Sequence, residues 1–74
     1  MPKVELLSEV TGSVWKVLAQ PGQSVQEEEP IMLIESMKME IPVVATEPGV
    51  IQAILAQEGA AVAEGDVVAV LNAK

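Results

Sequence analysis

Two stretches of the chain alternate apolar and polar residues with the period of a β-strand. They are SVWKVLAQ (13–20) and VIQAILAQ (50–57), and each is followed by a turn that contains glycine, PGQ in one case and EGA in the other. A short strand around a valine, a polar turn and an apolar run then follow in both halves. Segments that alternate apolar and polar residues and are bounded by glycine or proline predict strands. No 11-residue window has the apolar spacing of an amphipathic helix.

The chain matches itself when it is shifted by 37 residues, without any insertion. The identical pairs are Gly12/Gly49, Leu18/Leu55, Ala19/Ala56, Gln20/Gln57, Gly22/Gly59, Val25/Val62 and Glu27/Glu64. Apolar pairs such as Val14/Ile51 and Leu33/Val70 follow the same register. Self-similarity at a fixed period indicates a duplicated unit. We therefore predict one domain, residues 1–74, built from halves of about 1–37 and 38–74.

About four short strands per copy, paired across a pseudo-two-fold axis, predict an all-β fold. Two four-stranded antiparallel sheets would pack face to face as an aliphatic sandwich or flattened barrel. Gly12 and Gly49 open the two units, where we expect a bend or a close backbone approach. Trp15, the only aromatic residue, is expected between the sheets, although an exposed strand face is the alternative.

The net charge of the chain limits the kinds of molecule that it can bind. Eleven acidic residues and four lysines give a net charge of −7, which repels phosphate backbones and anionic headgroups, so we expect no nucleic acid and no membrane partner. No apolar run reaches transmembrane length, and the first ten residues do not resemble a signal peptide. The expected location is the cytoplasm, and the domain is expected to be monomeric.

Catalysis by this chain alone is not expected. The sequence lacks histidine, cysteine, tyrosine and arginine, which removes the usual neutral-pH base, the activated thiol and the soft metal ligands. Consecutive glutamates at 27–29 could in principle hold a hard cation, but a solvated acidic turn is the preferred interpretation. We predict neither catalytic residues nor a metal site.

The segment ESMKME (35–40) lies at the junction of the two copies. The runs IMLIES and EIPVVA on either side predict two antiparallel strands, with a tip of MK, or of SMKM if the turn is longer. A two-residue hairpin prefers Asn-Gly because its central residues take positive φ, and other residues cost on the order of 1 kcal/mol each in that geometry. The residues of the tip are therefore explained by the side chains that they present to a partner rather than by a preference for this turn.

Four interpretations of Lys38 compete: a solubilising turn residue, part of a methionine-rich core strand, a catalytic amine, or an amine displayed for modification. Met37 and Met39 would by default fill gaps in the core. A catalytic amine needs burial or a cationic neighbour, whereas Glu35 and Glu40 favour its protonated form. Modification fits best, because a protruding tip can enter the cleft of another enzyme.

The segment ESMKMEIP resembles the biotin-acceptor signature of biotinyl domains, in which a lysine lies between two methionines in a hairpin. The resemblance extends from TGSVWKVLAQPGQSV to EGDVVAVL, and it is closest to free-standing single-domain biotin/lipoyl attachment proteins. It implies a barrel-sandwich hybrid fold of the biotinyl/lipoyl type. Ser36 stands where alanine is commoner, and the short segment between Val25 and Ile31 leaves no room for the protruding thumb of some bacterial carriers.

The resemblance implies that the chain is not an enzyme but a biotin carboxyl carrier. Lys38 would receive biotin covalently from a biotin protein ligase, and Met37 and Met39 match flanking positions associated with recognition by the ligase. The biotin would carry CO₂ from a biotin carboxylase to a carboxyltransferase. Two alternatives stay open: a lipoyl-carrying acyl shuttle of a 2-oxo acid dehydrogenase complex, and an unmodified interaction module of the same fold.

Overall fold

The computed structural model describes residues 2–73; Met1 and Lys74, the ends of the predicted domain, lie outside the described residues. The described chain forms eight β-strands: β1 (Lys3–Leu7), β2 (Gly12–Val17), β3 (Ser24–Val25), β4 (Pro30–Ser36), β5 (Met39–Val44), β6 (Gly49–Ile54), β7 (Ala61–Val62) and β8 (Val67–Ala73). One antiparallel sheet has the order β1-β8-β6-β3 and the other β5-β4-β2-β7. The predicted fold class is confirmed.

The duplication is visible in the strand bounds. Strands β6, β7 and β8 begin and end 37 residues after β2, β3 and β4 respectively. The same shift converts the strand order of one sheet into that of the other, provided that β1 takes the place of β5. The β1 segment was not assigned from its own residue pattern. The repeat nevertheless requires it, because without it β8 would lack the partner that β5 gives β4.

The core between the sheets is aliphatic and thin. Its largest fully buried side chains are Leu6, Val14, Ile31, Met32, Ile34, Ile51, Val68 and Leu71. The described molecule measures 35 × 17 × 16 Å, so a single layer of these side chains fills the space between the sheets. At about 25 cal/mol per Å² of apolar surface removed from water, this layer is the main source of stability in the fold.

The expectation that Trp15 lies between the sheets is wrong. Its side chain is 50% exposed, whereas Val14 beside it is 2% exposed. Neighbouring residues of a strand point to opposite faces, so Trp15 faces outward because Val14 faces the core. A bulge in β2, where Val14 pairs with Ile34 and Lys16 with Leu33, keeps Lys16 on the outer face as well.

Strands β2 and β6 are shorter than the sequence pattern predicts. The structure ends β2 at Val17 and β6 at Ile54, three residues before the ends of the predicted runs. After β2, the amides of Leu18 and Ala19 both donate to the carbonyl of Ile31, at 2.8 and 3.2 Å. Two consecutive amides on one acceptor turn the chain away from the ladder, and the apolar alternation persists beyond it.

The predicted site and the two ends of the described chain lie at opposite ends of the molecule. The amide of Ala73 donates to the carbonyl of Pro2, at the end of β8 farthest from Val67. Near the start of β8, Glu64 donates its amide to Thr11, which in turn accepts a hydrogen bond from Ser36 beside the β4–β5 turn. The seven residues of β8 span roughly 20 Å. Residues 2–73 contain no helix that could span a membrane.

Candidate functional site

The β4–β5 hairpin has the short tip that the sequence predicts. Glu35 pairs with Glu40 and Ser36 with Met39, so only Met37 and Lys38 remain in the turn. Their φ angles are 52° and 65°, which is the left-handed region that the two central residues of a type I′ turn require. The tip is therefore MK rather than SMKM, and both residues occupy a backbone conformation that is unfavourable for their side chains.

The three central side chains of the site face solvent. Met37 is 91% exposed and Met39 60% exposed, and Lys38 is exposed as well. Met32, in the same hairpin, is completely buried. The default interpretation of the two flanking methionines as core residues is therefore wrong, because the core ends below the tip and neither side chain can reach it.

Glu35 and Ser36, directly below the turn, form what we call the base of the hairpin. This base is held against the start of β2. A Cβ built on Gly12 would overlap the carbonyl oxygen of Glu35, so only glycine allows the backbones to approach this closely. The Ser36 hydroxyl donates to the carbonyl of Thr11 at 2.9 Å. In turn, the Thr11 hydroxyl accepts a hydrogen bond from the amide of Glu64 at 3.1 Å. These contacts fix the direction in which the tip leaves the body.

Sequence reasoning identified the close approach at Gly12 but missed the anchoring contacts. Ser36 stands where alanine is commoner in the family that the segment resembles, yet its hydroxyl joins the last residue of β4 to Thr11. Thr11 carried no signal of its own in the sequence. The one available clue was position, since Thr11 directly precedes the glycine that opens the first unit.

Two carboxylates, those of Glu35 and Glu40, flank the tip, whereas the glutamates at 27–29 lie at the opposite end of β4. Glu35 and Glu40 are paired across the hairpin and both are exposed. Glutamates 27–29 lie in and around a turn in which Glu29 accepts a hydrogen bond from the amide of Gln26. Within the described part of the chain, no three acidic residues form a group that could hold a metal ion.

This geometry can present a nucleophile but cannot activate it. The Lys38 amine stands at the end of a rigid two-stranded projection, and the side chains beside it are thioethers and carboxylates. None of these groups can abstract a proton from an ammonium ion efficiently at neutral pH, because carboxylates are too weak as bases. A covalent group can be placed on this amine when a separate catalyst supplies both the activated acyl donor and the base.

The two-sheet fold with a lysine at the β4–β5 turn can be compared with known proteins. The chain belongs to the biotin/lipoyl attachment family described as biotin-requiring enzyme, whose model matches residues 2–71. It is 38% identical over 64 residues to the biotin/lipoyl attachment protein of Bacillus subtilis, covering 86% of this chain and 88% of that protein.

Two further comparisons connect the chain to carboxylases. Over 55 residues it is 42% identical to the biotin carboxyl carrier protein of Streptococcus mutans, covering 74% of this chain and 42% of that protein. Its structure resembles part of the Kluyveromyces lactis urea carboxylase with a TM-score of 0.92 and 39% identity, covering 97% of this chain and 6% of that chain. The chain thus matches less than half of the first protein and a small part of the second.

Proposed function

We propose that this chain is a biotin carboxyl carrier and that Lys38 is its attachment site. The observation that carries the proposal is the tip itself, where an exposed lysine stands between two exposed methionines in a turn with positive φ at Met37 and Lys38. A residue pair that is unfavourable for folding persists where the folded scaffold over-determines it. Relatives named as a biotin/lipoyl attachment protein and a biotin carboxyl carrier protein support the proposal.

Loading of Lys38 is an acyl transfer catalysed by a biotin protein ligase. The deprotonated Nζ attacks the acyl carbon of biotinyl-adenylate, an amide bond forms, the bond to the adenylate phosphate breaks, and AMP leaves. The chain contributes position: the hairpin holds the amine at the end of a projection that fits into a cleft. Met37 and Met39 offer the ligase soft apolar contacts on both sides of the amine.

In the loaded state the chain supplies reach rather than catalysis. When held on Lys38, biotin would supply a group that accepts CO₂ at a biotin carboxylase and gives it up at a carboxyltransferase. Tethering raises the effective concentration of the carried group at both enzymes. Because the anchored hairpin base keeps the start of the arm in a fixed place, the search at each partner is limited to the rotatable bonds of the lysine and of the attached group.

Lipoate is the second candidate group. The name of the B. subtilis relative includes both biotin and lipoate, and the fold is compatible with either. Two methionines beside Lys38 favour biotin, since the resemblance to lipoyl domains implies aspartate or valine before the lysine and alanine after it. An unmodified interaction module is disfavoured, because such a module has no use for an unfavourable turn pair at the tip.

The proposal is tested by intact mass after co-expression with a biotin protein ligase or, separately, with a lipoate ligase. We expect a mass gain of one biotin with the first ligase and none in Lys38→Arg. Gain of lipoate alone would replace biotin by the second candidate. A biotin acceptor and a lipoate acceptor serve as controls for the two ligases. A folded protein that neither ligase modifies, while each control is loaded by its own ligase, would refute attachment at Lys38.

A further inference from the structure

The outer face of the sheet that carries Lys38 bears a row of apolar side chains below the tip. Lys16, Leu33 and Pro42 are paired directly across β2, β4 and β5, and directly paired residues share a face. Trp15 joins this row through the bulge in β2, where it and Lys16 together oppose Leu33. Trp15 is 50% exposed, Pro42 is exposed and Leu33 is half-buried. We call Trp15, Leu33 and Pro42 the apolar row.

The duplication supplies an internal control for this row. Gln52, Val70 and Glu5 occupy the equivalent positions of the other sheet, with the same kind of bulge between Ile51 and Ala53. Both sheets have equivalent strand lengths and the same bulge, so the backbone does not require tryptophan or proline at these positions. A large aromatic side chain half exposed on one copy only is a feature that folding does not explain.

Charge differs between the copies in the same way. The row next to the tip on the lysine-bearing sheet contains Glu35 paired with Glu40. The equivalent row of the other sheet pairs Asn72 with Lys3. The lysine-bearing face therefore presents an apolar strip that includes the exposed Lys16 beside Leu33 and is bordered by two carboxylates on the side of the tip. Its complement is an apolar surface bordered by basic side chains.

We propose that the apolar row is a docking surface for the enzyme that acylates Lys38, which meets it with an apolar surface bordered by basic groups. This inference rests on the proposed function. An interface of standard size covers about 800 Å² of each partner, a disc roughly 16 Å in radius. The apolar row lies four residues from the tip along β4, about 13 Å away. An enzyme that encloses the amine must extend down the hairpin, and it reaches this row.

Other occupants fit the surface less well. A second copy of this chain, paired through the same face, would bring the two carboxylates of each copy toward those of the other, at a net charge of −7 per chain. Like charges in contact cost free energy. Enzymes that use the carried group meet it at the end of the arm, so they need not approach the amine as closely as the acylating enzyme must.

The experiment measures loading kinetics with the ligase that loads the wild-type chain, varying the carrier concentration. Trp15→Gln installs the residue of the other copy, and it is expected to raise KM for the carrier about tenfold with kcat unchanged, as for loss of one aromatic anchor. Pro42→Glu, which also copies the other sheet, is the second variant. Leu55→Gln is the matched control, since Leu55 is 57% exposed outside the row, and its KM is expected to equal that of the wild type.

The outcomes separate the two proposals. If the wild type is not loaded at all, the proposed function fails. If the wild type is loaded but Trp15→Gln and Pro42→Glu, both folded by circular dichroism, retain the KM of Leu55→Gln, the docking surface is refuted while the proposed function stands. Sedimentation that shows a wild-type dimer and a monomeric Trp15→Gln would assign the row to self-association and also overturn the inference.

Discussion

Gly12 lies against the backbone carbonyl of Glu35 so closely that a Cβ at position 12 would overlap the carbonyl oxygen. Gly49 has the same relationship to the carbonyl of Asn72, 37 residues later. The contact at Gly12 supports the base of the lysine hairpin, and the contact at Gly49 supports the opposite end of the molecule. One backbone device therefore serves two places, of which only one adjoins the site.

This pair gives the first prediction. Gly12→Ala and Gly49→Ala are each expected to lower the free energy of unfolding by about 2 kcal/mol or more, because a strand must shift to admit the methyl group. Urea unfolding followed by circular dichroism measures the loss. At temperatures where both variants are folded, Gly12→Ala should be loaded more slowly at Lys38, and Gly49→Ala at the wild-type rate. Equal loading of the two variants would show that the position of the hairpin base does not control access.

The second prediction concerns the strain of the tip. Replacing Met37 by Asn and Lys38 by Gly gives the turn the residues that favour positive φ, and it is expected to raise the free energy of unfolding by roughly 1 kcal/mol. The gain is measured as an increased urea midpoint with an unchanged slope. The single variant Met37→Asn keeps the lysine and should give part of the gain with slower loading. A lower midpoint in the double variant would contradict strain at this turn.

The third prediction separates the exposed methionines from the buried one. Met37→Leu and Met39→Leu are expected to change stability by no more than about 0.5 kcal/mol, since both side chains project into solvent. Both should reduce the rate of modification at Lys38. Met32→Ala is the contrast: it empties a fully buried site and should cost about 2–5 kcal/mol. Unfolding of the Met37 or Met39 variant by several kcal/mol would place those side chains in the core.

The fourth prediction uses the turns before β4 and β8. Glu28 has a φ of 69°, and Gly65 occupies the equivalent position of the second copy with a φ of 90°. Gly65→Ala should destabilise the protein by about 1 kcal/mol, because it places a Cβ in the left-handed region. Glu28→Gly relieves the same penalty at a cost in unfolded-state entropy, so a change between zero and about 1 kcal/mol of stabilisation is expected. Thermal unfolding of the two variants measures both values, and marked destabilisation by Glu28→Gly would contradict this account.

A fifth prediction tests the anchor at the base of the hairpin. Ser36→Ala removes the hydrogen bond to the carbonyl of Thr11 and should cost about 0.5–1.5 kcal/mol. Hydrogen exchange at the amides of Met39 and Glu40 should accelerate relative to that of amides in β8. Ser24→Ala, at an exposed position away from the tip, serves as the control. Unchanged exchange in the hairpin would show that the hydroxyl does not hold it.

Much of the fold was predictable because the chain contains it twice. A register of 37 residues predicted about four strands per copy and two sheets, and the glycines at 12 and 49 indicated the close approaches that the structure shows. Strand ends were less predictable. The apolar alternation of the 13–20 segment continues past Val17, where two amides share the carbonyl of Ile31 and the ladder stops.

The tip was predictable for a different reason. Met-Lys is a poor pair for a two-residue turn, and the conflict between local preference and the surrounding strands marked the position. Trp15 was mispredicted because nothing in the sequence decides between the core and an exposed strand face for a lone aromatic residue, and the exposed face is the one observed. The contact between Ser36 and Thr11 joins residues 25 apart in the sequence, and no local rule connects them.

The two ends of the described chain, Pro2 and Ala73, lie beside each other. Since Pro2 and Ala73 meet at the end of the molecule away from Lys38, a tag, a solid support or a neighbouring polypeptide joined there leaves the lysine pointing outward. Under the proposed function, the same handle can be used at either described end without obstructing the amine, and the domain would serve as a portable acceptor for an enzymatically attached label.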